Sequence, residues 1–531
     1  MSRADATGSA PRGPLGESGR TGGHRDAWER LVRWQEAAEA GLRAASGHRW
    51  WVLWVVLAGL LANNLLFTVF VVALPSVAAG LHTSVATVTW LVTGPMLSYA
   101  VAAPLLGRVS DSWGHRRLYL AGMVGAIAVA LASIWAPGAG FLIVARLLGG
   151  AVGAGVGASS MALVLVAFDR ADRVKAMGWW SLVGAGGPVI GVAVGGPLIE
   201  TFGWRSMFVM QVPLLVAATL VAAIVLPGKA PRSSIGPSAE RGSDLPHGTV
   251  PEVPSGMARS GMDWPGAVVL TVSVGALLAG FNRAPELGWG SPLVLVMMAV
   301  ALVGVPSFVL VEKRALSPLI PVAYMRDRNF AFPIGAQVFS NFAYMGGFFL
   351  APLVFEQVFG YGEAAAGAMS IPRPLVYSLV APAAGYLVGR IGERAGSIIG
   401  CTAVLASMVV FALTPAHGGI LVVEAALVLS GIGLGISSPP LAAAVANAVH
   451  DHSLGMASAA QQLMTQVGVV AGIQVLQTLQ ASGAAARLHE HGPVLLGSFR
   501  QAFVVGGLVA LAGVVCAALM RARQPPEMLR R

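Results

Sequence analysis

Charge is scarce in this 531-residue chain: Asp, Glu, Lys and Arg make up only 11% of it, against 56% apolar residues. A soluble globule needs more polar surface than that, so a water-soluble enzyme is excluded. Lysine is almost missing, with only Lys175, Lys229 and Lys313, so arginine carries the net charge of +10. The two cysteines, Cys401 and Cys516, stand in different apolar runs without partners at metal-ligand spacing, which excludes a disulfide framework and a zinc site. There is no Walker loop to cradle nucleotide phosphates, so ATP is not the expected energy source. A membrane-embedded enzyme would need a buried nucleophile–base pair or a His-Glu-x-x-His metal set, and neither is present. No apolar run precedes residue 50, so no cleavable signal peptide is expected and the first span should direct insertion.

What the chain has in quantity is apolar runs of about 20 residues, the length that crosses about 30 Å of hydrocarbon. Six are predicted near 52–75, 85–106, 117–136, 139–166, 176–199 and 207–226. Two more fall near 264–282 and 291–311, and a further six near 331–359, 364–388, 396–415, 418–440, 455–479 and 499–520. The expected fold is an all-α polytopic membrane protein of fourteen spans: two six-helix bundles with an inserted two-helix hairpin. The corresponding limits are an N-terminal extension at 1–50, bundles at 51–226 and 313–521, a flexible Pro/Gly/Ser-rich linker at 227–262, the hairpin at 263–312 and a tail at 522–531. Residues 1–25 have the composition of a disordered segment. Residues 26–45 gather Trp28, Leu31, Val32 and Leu42 near one helical face, with Glu29 four residues before Arg33, which predicts an interfacial amphipathic helix.

The distribution of positive charge checks this segmentation independently. Of the 34 Lys and Arg residues, 28 fall in segments that the segmentation places on one side, against four on the other: Arg205, Arg283, Arg487 and Arg500. Lys and Arg accumulate on the cytoplasmic side of membrane proteins, so both termini are expected in the cytoplasm. The basicity reports topology, and nucleic acid is not an expected partner.

After the second run the chain reads GRVSDSWGHRRLYLAG from Gly107, and 278 residues later it reads GYLVGRIGERAGSIIG from Gly385. Gly385, Gly392, Arg394 and Gly400 take the places of Gly107, Gly114, Arg116 and Gly122. Both copies fall between the second and third spans of a bundle, as parallel repeats about an axis along the membrane normal require.

In this setting Gly107, Asp111, Gly114, Arg116 and Arg117 resemble the loop signature of the major facilitator superfamily. Fourteen spans with a central hairpin resemble its drug/proton antiporter branch. Arg146 with Gly150, the run Gly187, Pro188, Gly191, Gly195 and Gly196, Ala73-Leu74-Pro75, and Phe355 to Tyr361 extend the resemblance over roughly residues 50 to 521. The resemblance implies a secondary transporter working by alternating access, without a cofactor, that expels drug-like or amphipathic small molecules in exchange for protons. It also implies a monomer in a bacterial plasma membrane. Export of a lipid or secondary metabolite, with atypical or no proton coupling, is the alternative. The loop residues from Gly107 to Arg117 would form a latch, with Asp111 accepting from a helix N-terminus or pairing with Arg116 or Arg117, while the Gly-Pro run would mark an antiporter.

Ionisable groups within the apolar spans are costly and point to function. They are Arg146, Glu356, Arg373 and Glu424, with the two acids as candidate proton carriers; Glu356 could instead pair with Arg373. The family pattern supplies an acid nine residues before Pro75, where this chain has Leu66, which disfavours a cationic solute. Asn63, Gln337, Asn341, Tyr344, Gln462 and Gln466 are the candidate polar lining of a cavity. His450-Asp451-His452 has metal-like composition on a short loop that is expected to be solvated.

Overall fold

The computed structural model describes residues 48–83, 85–88, 90–226, 263–315, 318–415, 418–485 and 496–521. The predicted interfacial helix at 26–45, the linker at 227–262 and the tail at 522–531 lie outside the described residues. Among the described residues there are helices and no strands, because in hydrocarbon each backbone N–H and C=O must find its partner within the segment. The long helices are α1 (His48–Gly80), α2 (Trp90–Trp113), α3 (His115–Ile134), α4 (Ala139–Ala167), α5 (Arg173–Phe202) and α6 (Ser206–Val225). A pair follows, α7 (Trp264–Leu287) and α8 (Pro292–Glu312), and then α9 (Arg328–Gln357), α10 (Pro372–Ile391), α11 (Glu393–Ala412), α12 (Ile420–Asn447), α13 (Leu454–Ala485) and α14 (Leu496–Leu519).

Among the described residues, eleven helices are long and apolar enough to cross a membrane. The remaining three long helices are α1, α5 and α13. Side chains at 66–75 in α1 and 188–197 in α5 are outside the described residues, and α13 carries six glutamines. The outward faces are hydrocarbon: α8 alone exposes Leu293, Leu295, Val296, Leu302, Val303 and Val305, a surface that suits lipid and not water. Prolines sit inside α2, α6, α8, α9, α10 and α12, tolerated because neighbours satisfy the freed carbonyls. Arg146 of α4, for example, donates at 3.2 Å to the Leu91 carbonyl, which Pro95 leaves without its usual amide.

The repeat seen in one motif extends helix by helix. α3 and α11 begin and end 278 residues apart, and α2 and α10 end at the same spacing. Each α2–α3 type turn is made by one glycine of positive φ, Gly114 at 102° and Gly392 at 89°, a conformation that side-chain-bearing residues avoid. The same offset relates GAGVGASS at 153–160 in α4 to GIGLGISS at 431–438 in α12, Tyr99 to Tyr377 and Asn63 to Asn341. One expectation needs correcting: the segment from Gly107 to Trp113 is the last two turns of α2 and not a loop. Nothing in it breaks a helix before Gly114, and the helix continues because its polar end docks on the other half.

Within each half the third helix packs on the fourth and the second on the fourth, and between halves α2 lies against α13 and α5 against α10 and α12. The α7–α8 hairpin packs on itself and sets α7 against both α2 and α13, along one seam between the halves. Small residues set these distances. A Cβ on Gly400 of α11 would come within 2.5 Å of the Ser437 amide and 2.6 Å of the Gly433 carbonyl of α12, whereas one on Gly184 of α5 would meet nothing within 4 Å. Gly400→Val is therefore expected to destabilise the protein by about 1–3 kcal/mol through overpacking, and Gly184→Val by no more than about 0.5 kcal/mol. Thermal melting of the two variants in detergent checks this.

Candidate transport pathway and closing contacts

The two halves meet through a polar set on equivalent helices. On one seam the Tyr99 hydroxyl of α2 donates to Gln462 Oε1 of α13, over Gly157 of α4, where any side chain would collide with both groups. Asn63 of α1 lies beside Gly153, and Gln211 of α6 ties the Ala62 carbonyl at 3.0 Å. On the other seam the Tyr377 hydroxyl donates to Ser438 at 3.3 Å, Ser438 faces Ser181 of α5 at 3.5 Å, and Ser378 of α10 lies against Gly186 of α5. Gln337, Asn341 and Tyr344 share the buried face of α9, with the Asn341 amide donating to the Gln337 carbonyl at 2.8 Å. Gln466 is half-buried on α13, one turn beyond Gln462. Gln337 Oε1, Gln461 Oε1 and Gln462 Nε2 are buried with no hydrogen-bond partner among the described residues. An unmade hydrogen bond at a buried carboxamide costs about 1–3 kcal/mol, so these three atoms are spare hydrogen-bonding capacity in this arrangement.

The ionisable residues do not come together. Arg373, fully buried, directs its guanidinium over the rings of Tyr344, at 3.5 Å from the centroid, and Phe348, at 4.9 Å, and donates to the Tyr344 carbonyl. Glu356, half-exposed at the far end of α9, forms no ion pair with it, because three helical turns separate Glu356 from Tyr344. Arg146 donates to the Leu91 carbonyl at 3.2 Å near the start of α2. Glu424, half-buried near the start of α12, is the repeat equivalent of Arg146, so the two halves carry opposite charges at one position.

The face carrying the Arg-rich turns is where the halves are fastened. Asp111 accepts from the amides of Gly455 and Met456 at 2.7 and 2.8 Å, satisfying two orphan donors at the N-terminus of α13. Gly107, one turn earlier, lets α2 approach so closely that a Cβ would strike Ala459 and the Gly455 carbonyl. Arg116 is not a partner of Asp111: its Nη2 donates to the Ala223 carbonyl of α6 at 2.7 Å, and its equivalent Arg394 does the same to Ala518 of α14 at 2.7 Å. Each half thus uses this arginine to hold its sixth helix. Arg117 is exposed.

A second fastening was not legible as a motif. Arg173, at the start of α5 and 3% exposed, pairs with Asp451 at 2.8 Å and donates to Asn447 Oδ1 at 3.1 Å and the Leu165 carbonyl at 3.1 Å. Asn447 in turn donates to Glu393 at 2.7 Å. Arg173 and Asp451 stand 278 positions apart, so they are each other's equivalents, and a contact between equivalent positions lies on the axis relating the halves. That offset was the one available signal. In the same turn His450 Nδ1 meets the Tyr324 hydroxyl at 2.9 Å and the two histidine rings stack. Among the described residues no three His, Cys, Asp or Glu side chains form a metal-holding group. Gly187 touches Leu61 and Asn64 of α1, while the side chains of Pro188, Gly191, Gly195 and Gly196 lie outside the described residues, although all five positions are in α5.

Beside this face Asp172 joins Lys175 at 2.8 Å and Arg49 of α1 at 3.0 Å. The Lys175 hydrogen bond, with the charges of Lys175 and Arg49, holds its carboxyl below the ordinary value, partly offset by burial.

A helical membrane protein of two repeated halves, fastened at one end and polar along the seam between them, is the architecture of a carrier that rocks about a central site. The chain belongs to the Major Facilitator Superfamily, whose pattern matches residues 56–473. It is 29% identical over 479 residues to the tetracenomycin C resistance and export protein of Streptomyces glaucescens, covering 88% of this chain and 84% of that protein. It is 30% identical over 430 residues to the cephamycin export protein CmcT of Amycolatopsis lactamdurans, covering 79% and 82% of the two chains. Among solved structures, the human organic anion transporter MFSD10 superposes with a TM-score of 0.61 at 16% identity, covering 88% of this chain and 99% of that one, a likeness of fold.

Two outcomes follow from the fastened face. Asp111→Asn weakens two charge-assisted bonds worth about 1.5–3 kcal/mol each at full strength, so a cysteine placed at Ala459 should react with maleimide about tenfold faster while membrane insertion is unchanged. Because the folded-state pKa of Asp172 is depressed, its stabilising contribution is present above the unfolded value of 3.8 and is lost as pH falls through the lower folded value. Asp172→Asn should therefore melt slightly earlier than the unaltered protein at pH 6, with the gap closing as pH drops below about 4.

Proposed function

We propose that the protein is an exporter of drug-like or amphipathic small molecules, driven by protons and working by alternating access as a monomer. The observation that carries this is the pairing of a fastened end, built on Asp111 and Arg173, with a polar seam between the halves that has unused hydrogen-bonding capacity. The names of the relatives, resistance and export proteins of antibiotic-related compounds, support it. All fourteen long helices are read as spans, with both termini and the fastened face in the cytoplasm of a bacterium, since the Arg-rich turns lie on that side. In this arrangement the protein is closed to the cytoplasm. Export requires Asp111 and Arg173 to let go so that the two bundles, 51–226 and 313–521, rock apart, with the linker at 227–262 as tether and the hairpin at 263–312 bracing the α2–α13 seam.

Glu424 and Glu356 are the proposed proton carriers. Each is a carboxyl in an apolar span, where an ionisable group is costly and points to function. Arg146 and Arg373 would set the field about them, and the glycines of α5 from Gly187 to Gly196 would give the helix its bend. The lead alternative, export without proton coupling, rests on Leu66, which leaves the first half without the acid expected there.

The test is uptake into inverted vesicles under an imposed pH gradient, screened over neutral, cationic, anionic and lipid-like solutes. Glu424→Gln should cut the gradient-driven component at least tenfold while leaving exchange in the absence of a gradient measurable. Normal gradient-driven flux in both Glu424→Gln and Glu356→Gln sinks the assignment of the carriers, and flux indifferent to pH in the unaltered protein favours the uncoupled alternative.

A further inference from the structure

The most exceptional charged group in the molecule is Arg373. Its residue is 0% exposed and the largest among the fully buried side chains. Nη2 reaches the Tyr344 carbonyl and the guanidinium interacts with the Tyr344 side chain, while Nε and Nη1 are buried with no close hydrogen-bond partner among the described residues. Among the described residues no carboxylate forms an ion pair with it. A lone guanidinium taken out of water is strongly unfavourable unless a counter-charge meets it. The rings of Tyr344 and Phe348 lie under the positive plane and offset part of that cost, but a ring face leaves in-plane N–H groups unmatched.

The local sequence leaves the guanidinium as the main donor at this spot. Pro372 and Pro374 flank it at the start of α10, and neither has an N–H to offer. Tyr377, one turn along, packs edge-on against Tyr344 at 5.9 Å, so the buried guanidinium lies in an aromatic corner. Tyr377 also reaches Ser438, which faces Ser181 of the other half, so this corner adjoins the seam between the bundles. The repeat equivalent of Arg373 is Pro95, and the equivalent of Tyr344 is Leu66. The first half therefore has no counterpart, and the feature is not a structural element shared by both bundles.

We propose that Arg373 is the docking point for a carboxylate on the exported solute, and that the favoured substrates are flat aromatic organic acids whose rings pack among Tyr344, Phe348 and Tyr377. The inference rests on the export reading and narrows it to a substrate class. A carboxylate accepts from a guanidinium through charge-assisted bonds and supplies the missing counter-charge, and Leu66, the repeat equivalent of Tyr344, brings no acid to attract a cation.

The test uses the full-length purified protein and scintillation-proximity binding of tritiated 1-pyrenebutyrate, displaced by the unlabelled acid, its neutral amide or the corresponding amine. The acid should displace at a concentration at least about tenfold lower than the amide, with the amine weakest. Arg373→Gln should abolish that preference while still binding the amide, which also shows that the variant is folded, and Arg373→Lys should keep part of it. Equal displacement by acid and amide in the unaltered protein, absence of saturable acid binding, or an undiminished acid preference in Arg373→Gln each overturns the proposal. The acid-to-amide ratio of the unaltered protein decides the matter even where Arg373→Gln does not fold. A preference for the acid seen in gluconate and erased by equimolar chloride would mark a small-ion site and equally overturns it. Failure of the export reading is separate: it is the absence of accumulation of all three compounds in inverted vesicles, whatever their binding order.

Discussion

The carboxylate of Asp111 seated on the first-turn amides of α13 fixes how the two halves of this protein meet. The position of α2 follows from it, since Gly107 must lie flat against Gly455 and Ala459 for the bonds to form. Tyr99, two turns further along α2, is thereby delivered to Gln462, and the hairpin finds a surface made jointly by α2 and α13. Hydrogen bonds to a helix N-terminus suit this work because they are strong when dry and weaken once water enters. A contact of that kind holds a closed state without making it permanent, which is what a carrier cycling between two openings requires.

The other seam reaches the same end by different means. Gly389 stands where an acid would mirror Asp111, and here α5 is drawn in by Arg173, whose partners come from the end of α12 and the turn after it. Backbone contact is close on this side too: Gly178 lies against the Ala381 carbonyl and Gly385 against Lys175. The two halves therefore share a scaffold of glycines and divide the polar fastenings unequally. That inequality extends inward, where Arg146 faces a carbonyl in one half, Glu424 takes its place in the other, and Arg373 has no equivalent at all.

Much of the fold was legible because the bilayer sets the length of an apolar run. The long helices lie where the apolar runs lie, and the glycine turns at Gly114 and Gly392 mark the same place in each half. The expected contact of Asp111 with a helix N-terminus is there, but the segment from Gly107 to Trp113 is helix and not loop, since its polar residues are in part an interface with the other half. Contacts between separate helices were the harder matter. Glu356 and Arg373 looked like partners on composition, yet they point to different levels of the membrane, and the Arg116 bond to the Ala223 carbonyl leaves no trace in side-chain chemistry. Arg173 and Asp451 could have been paired only by carrying the repeat offset past the first motif and asking which equivalents attract.

That on-axis pair governs which halves can assemble. Two copies of either half as it now stands would bring arginine against arginine or aspartate against aspartate at this point, so neither could pair with itself through this contact. The two arms are complementary here and not interchangeable. The single polypeptide is in this respect an obligate heterodimer written as one gene.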